Sequence, residues 1–182
     1  MILTDTEYKE FINTHLDLLF YVGKQKKILP NDITLKKFLN KDFETKFKCR
    51  ESLLADENIL DEYIASNFDH LTEDQINIIV GFKKKIRSTF VIFKFLKNYT
   101  IFIDTKDNKF YAVRALRDTF DSFFDNFPVR VSTTLIPFKG KIIYDGFIQS
   151  TGVYYGRNIT ASMNEDYKEA KRSKQILTMI EG

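Results

Sequence analysis

Val129-Arg-Val-Ser-Thr-Thr-Leu-Ile-Pro137-Phe-Lys-Gly140-Lys-Ile-Ile-Tyr-Asp145-Gly-Phe-Ile148 alternates apolar and polar residues, breaks at a turn and resumes as an apolar run. Side chains that alternate with period 2 across a Pro/Gly break describe a β-hairpin. Pro137-Phe138-Lys139-Gly140 has the chemistry of a type I or II turn, with proline presetting φ and glycine free in φ. The C-terminal half of the chain is therefore sheet.

Working back from the hairpin, the period of 2 persists to about Ser88. Residues 89–96 form an apolar run, Lys97-Asn98 reads as a tight turn, and residues 99–104 and 110–115 read as strands around Thr105-Lys106-Asp107-Asn108. Residues 117–127 hold four Phe and read as a short helix or a packed loop. Beyond the hairpin, Ser150-Thr151-Gly152 leads to a short strand at 153–155. Ser162 and Glu165 then open a closing helix with Met163, Tyr167, Ala170, Leu177 and Ile180 on one face.

Before Ser88 the apolar period is 3.6. Thr4 and Glu7 read as a capping box for a helix carrying Phe11, His15, Leu18, Leu19 and Val22, which Gly23 stops. Pro30-Asn31-Asp32 opens a second helix, a third spans about 41–54, Asp56 caps a fourth, and Thr72 with Gln75 caps a fifth. None is apolar all round, so each needs a partner. The spacing thus predicts an α+β protein with a helical lobe, residues 1–87. That lobe packs on a C-terminal antiparallel meander with a closing helix, residues 88–182. The meander has five or six strands and either curls into a small barrel or lays one face on helices.

Composition sets bounds on function. The chain has 182 residues, 43% hydrophobic and 29% charged, which is ordinary for a globular protein. A single cysteine, Cys49, forbids an internal disulfide and a Cys-based zinc site, and two histidines leave little for a metal centre, so neither metal nor cofactor is expected. There is no GxxxxGK[ST], GxGxxG, HExxH or GxSxG pattern. The first residues lack a signal-peptide pattern and no apolar run approaches the roughly 18 residues of a membrane span, so a cytoplasmic protein without a membrane partner is expected. The net charge of +3 is too small to imply a polyanion partner by itself.

Four places carry candidate chemistry or contacts. Phe138 and Lys139 sit at the hairpin turn, where they either touch a partner or simply specify the turn. Asp145 lies within an apolar strand. It reads as a half-buried acid or base of a hydrolase-type site, or as a carboxylate hydrogen-bonded at a bulge made by Gly146 or paired with Arg130 or Arg114. Lys83, Lys84, Lys85 and Arg87 precede Phe90, Phe93 and Phe95, an interleaving of basic and aromatic residues that suits single-stranded nucleic acid. The same lysines suit a helix C-terminus, and the same phenylalanines suit a core. Phe120, Phe123, Phe124 and Phe127 are candidates for an exposed patch that serves a protein partner or self-association.

The segments Phe110-Tyr-Ala-Val-Arg-Ala-Leu116, Pro128-Val129 and Thr134-Leu-Ile-Pro-Phe-Lys-Gly-Lys-Ile-Ile-Tyr-Asp-Gly146 resemble a hairpin pattern of uncharacterised bacterial proteins. The resemblance covers about residues 90–175 and implies a shared β-rich unit with no known activity. The expected function is a non-enzymatic interaction module of a bacterial or phage protein, with nucleic-acid binding as the alternative and an Asp145-dependent enzyme as the third reading.

Overall fold

Six α-helices and a six-stranded mixed sheet make up residues 2–180, the part of the chain that the computed structural model describes. This is the α+β class that the sequence predicts. By packing, the chain divides into Thr6–Lys83 and the described residues on either side of that span.

The helical unit contains α1 (Asp5–Gln25), α2 (Leu35–Leu39), α3 (Phe43–Ala55), α4 (Asn58–Asn67) and α5 (Glu73–Gly81). The predicted face of α1 is buried, from Phe11 to Val22. Gly23 does not stop the helix. A Cβ there would lie 2.6 Å from Leu29 Cδ1 and 2.8 Å from Cys49 Sγ, so glycine admits a close approach within the helix. The stop comes at Lys27, left-handed at φ 56°, with Ile28 N–H donating to the Gly23 carbonyl at 2.9 Å. Thr34, rather than Pro30-Asn31-Asp32, caps α2, and Asp42 caps α3 by accepting from Thr45 N–H at 2.7 Å. The capping box of Thr72 and Gln75 on α5 is complete.

In the other unit β1 (Ile86–Phe95), β2 (Thr100–Asp104), β3 (Phe110–Arg114), β4 (Val129–Phe138) and β5 (Lys141–Tyr154) pair into a ring, β1-β2-β3-β5-β4 and back to β1. The ring departs from a pure antiparallel meander at one place. β4 returns to β1, and β3 meets β5 in parallel through Val113–Ile142 and Arg114–Ile143. No separate strand starts at 153, because β5 runs on through a register shift between Ser150, opposite Val131, and Tyr154, opposite Val129. α6 (Arg157–Arg172) opens after Gly156, which places Ser162 inside the helix and removes its predicted capping role. The helix also ends early, and Leu177 belongs to β6 (Ile176–Leu177), which pairs in parallel with β3.

Both faces of β1–β3 are buried. Phe90, Phe102, Tyr111, Phe120 and Tyr144 contact one another on one face, with ring centroids 4.9–6.1 Å apart. The opposite face, with Val91, Ile101, Ile103 and Phe110, packs on Tyr167 and Ala170 of α6. The 3-10 turn Phe120–Ser122 places Phe120 against the first of these faces.

Candidate ligand groove beside the C-terminal helix

The hairpin turn is one residue later than predicted. Phe138 pairs with Lys141, and the two loop residues Lys139 and Gly140 both have positive φ, 45° and 71°. That is the two-residue turn that matches strand twist, and it places Pro137 within β4 instead of at a turn corner. Phe138 is consequently buried at 3% exposure and is not displayed at the tip; its ring lies 5.9 Å from Lys139 Nζ.

Asp145 is fully buried. Its Oδ1 accepts from Phe147 N–H at 3.1 Å, Gly146 takes φ 91°, and the β4–β5 register shifts between Thr133 and Leu135. This is the hydrogen-bonded carboxylate of a bulge. It lines none of the cavities described below.

The basic stretch does not present aromatics for base stacking. Lys83 is paired with Asp61 at 2.6 Å, within the helical unit. Phe90 and Phe93 are core residues, Phe95 stands edge-on to Phe127 at 4.8 Å, and Lys94 Nζ sits 5.1 Å from the Tyr167 ring. Lys84 and Arg87 remain exposed. The expected phenylalanine patch shrinks too, because Phe120 is fully buried, Phe124 and Phe127 are half-buried and only Phe123 is exposed.

His15 and Cys49 are equally withdrawn. Burial, reinforced by the Arg50 guanidinium, pushes His15 down to about 3, so it is a neutral imidazole against Phe11 and Phe82. Burial raises the Cys49 thiol to about 11, far from a reactive thiolate. Among the described residues no three His, Cys, Asp or Glu side chains group to hold a metal ion, and no helix is long and apolar enough to cross a membrane.

A concave surface of the sheet unit lies elsewhere, between α6, β6 and the β2–β3 turn. The turn is built by Asp104, whose Oδ1 accepts from Ser88 Oγ at 2.7 Å and from Lys106 N–H at 2.9 Å, and by Asn108 at φ 57°. Next to it is a groove of about 620 Å³ lined by the apolar side chains of Phe110, Ala170 and Leu177 and by the charged ones of Asp107, Lys109, Asp166 and Glu169. A smaller cavity of about 210 Å³, lined by Val91, Ile103, Tyr155 and Met163, adjoins it, and Asn108, Phe110 and Asp166 line both.

The three carboxylates differ in how they are used. Asp107 binds Lys109 at 2.7 Å; burial pushes its carboxyl up, but the hydrogen bonds from Lys109 outweigh this and hold it below the usual range. Glu169 pairs with Arg172 one turn on. Asp166 is exposed and has no ion-pair partner among the described residues. No sequence signal marked this groove, because its residues come from three elements whose meeting depends on where α6 docks. No protein-family model, curated protein or solved structure matches the chain.

Proposed function

We propose that the chain is a non-catalytic interaction module that takes a cationic, partly apolar ligand, a basic peptide segment of a partner protein, in the groove beside α6. The observation that carries this reading is Asp166. It is a carboxylate without an ion-pair partner among the described residues, shared by two adjoining cavities beside the apolar side chains of Phe110, Ala170 and Leu177. A volume of about 620 Å³ is within the range of ligand sites, and apolar walls with a few convergent charges are their usual composition. The withdrawal of Asp145, His15 and Cys49 from the surface supports binding over catalysis.

Nucleic acid is supported less well. Five-stranded Greek-key rings that bind oligonucleotides do so across the β2–β3 face. Here Tyr167 and Ala170 cover that face, and the carboxylate of Asp166 adds a negative charge to the groove beside it.

The test is fluorescence anisotropy with a labelled nonapeptide of alternating Lys and Leu, against the same peptide with Glu in place of Lys. Binding of the Lys peptide alone is expected, weakened about fivefold by Asp166→Asn, the effect of one exposed charge pair. Equal binding of both peptides, or binding indifferent to Asp166→Asn, would overturn the reading.

A further inference from the structure

The helical unit carries a second surface, independent of the groove. Three large apolar side chains stand out from it within nine residues: Leu35 at 36%, Leu39 at 43% and Phe43 at 63% exposure. Phe43 stacks on Phe47 at 5.8 Å, which props its ring outward from the first turn of α3. Between them lie Lys36, Lys37 and Lys41, all exposed.

These lysines differ from five others in the chain that are held in ion pairs. Lys26, Lys48, Lys83, Lys109 and Lys168 each hold a carboxylate at 2.6–2.8 Å. Lys36, Lys37 and Lys41 hold none among the described residues. The nearby acids are committed elsewhere, Asp42 to capping α3 through Thr45 and Glu44 to Lys48. Asp32 lies on the wall of a cavity of about 450 Å³ that Lys37, Asn40 and Lys41 also line, and Asp42, held low first by its hydrogen bonds from Thr45, also feels the Lys41 charge. The dipole of a five-residue helix rationalises lysines in its last turn but gives no reason to expose two leucines and a phenylalanine among them.

We infer that the surface around α2 and the start of α3 docks on an anionic lipid membrane. Leu35, Leu39 and Phe43 enter the headgroup–acyl boundary, and Lys36, Lys37 and Lys41 meet lipid phosphates and carboxylates, with the Lys37–Lys41 cavity seating a headgroup. A partner protein would cover such side chains in a fitted pocket, whereas exposed apolar residues interleaved with cations that hold no carboxylate in an ion pair among the described residues suit a fluid, negatively charged surface. This is association with one leaflet and needs no spanning helix.

The chain has no tryptophan, so Phe43→Trp installs a single reporter at the centre of the surface. With vesicles containing one part in four phosphatidylserine in phosphatidylcholine, at low salt, its emission is expected to shift to the blue. The unmodified chain is expected to sediment with the same vesicles, and pure phosphatidylcholine should give neither effect. Each Lys→Ala change at 36, 37 or 41 should weaken binding about fivefold, and high salt should release the protein. These lysines are exposed, so the variants keep the fold, which circular dichroism checks. No blue shift and no sedimentation with the anionic vesicles overturns the proposal, as does binding unchanged in the triple Lys→Ala variant. Preferential binding of oligo(dT) at the same salt also overturns it, in favour of nucleic acid. Peptide binding at the α6 groove is read out separately, so either site can fail without the other.

Discussion

His15 shows how strongly one buried residue couples the helical unit to pH. Its ring lies between Phe11 and Phe82, 5.5 and 4.9 Å away, with the Arg50 guanidinium adding to the cost of a second positive charge. In the unfolded chain the same imidazole takes up a proton near pH 6.5. Its folded value is depressed, to about 3, so between these two values the unfolded state binds the extra proton. The stability is therefore fully present above about pH 6.5 and is lost as pH falls toward the folded value. From pH 7 to pH 5 the helical unit should lose about 2 kcal/mol through this residue alone. Urea unfolding followed by helical circular dichroism at the two pH values measures it. His15→Leu should remove that part of the pH dependence, and an unchanged dependence in the variant would place its source elsewhere. The apolar face that holds His15 was legible from the 3.6 period, whereas the partners that keep it neutral come from α3 and the end of α5, which no local pattern connects to position 15.

At the scale of elements, the stop signals decide what can be read. Thr72 with Gln75 and Asp42 before Phe43 act locally, and each caps where its chemistry says it should. The end of α6 has no such signal. The helix stops in a Schellman arrangement, with Gln175 N–H donating to the Ala170 carbonyl at 2.8 Å and Lys174 N–H to the Lys171 carbonyl at 3.4 Å. The residue that must be left-handed is Lys174, at φ 57°, where glycine or asparagine is usual. A lysine there gives no sequence warning, so the apolar period carries the predicted helix on to Ile180. The turn instead sends Ile176 and Leu177 back as β6 beside β3, and this return builds one wall of the groove. The hairpin slipped for a similar reason: Pro137 is a strong turn residue, yet Lys139 and Gly140 form the turn. Lys174→Gly should relieve the left-handed lysine and raise the stability of the sheet unit by about 0.5–1 kcal/mol. A shift of the chemical-denaturation midpoint to higher urea with unchanged slope is the expected reading. A lower midpoint would show that the lysine side chain contributes more than its backbone costs.

At the scale of the whole molecule, the sheet unit is discontinuous in sequence. Leu3 N–H donates to the carbonyls of Ala115 and Leu116 at 3.1 Å each, Ile2 bridges Ala115 in parallel, and the Leu3 side chain is 97% removed from solvent (3% exposed). The helical residues Thr6–Lys83 are thus an insertion between this short edge segment and β1. A contact across more than a hundred positions leaves no periodic trace, so no local pattern in the sequence joins the first residues to the sheet. The connection matters because Ala115 directly follows β3, the strand that both closes the ring on β5 and carries Phe110 into the groove. Anchoring the end of β3 from outside the ring should hold that closure, which rests on two parallel residue pairs. Leu3→Ala keeps both backbone hydrogen bonds but removes a buried side chain, at a cost of about 2–4 kcal/mol for such truncations. Native-state hydrogen exchange should then show protection of the β3 amides falling about 30-fold or more, together with those of β2 and β5. If only the Leu3 amide exchanges faster, the first residues fray on their own and do not stabilise the ring. If the β3 amides fall with it, the segment before the helical insertion is part of the cooperative structure that positions the groove.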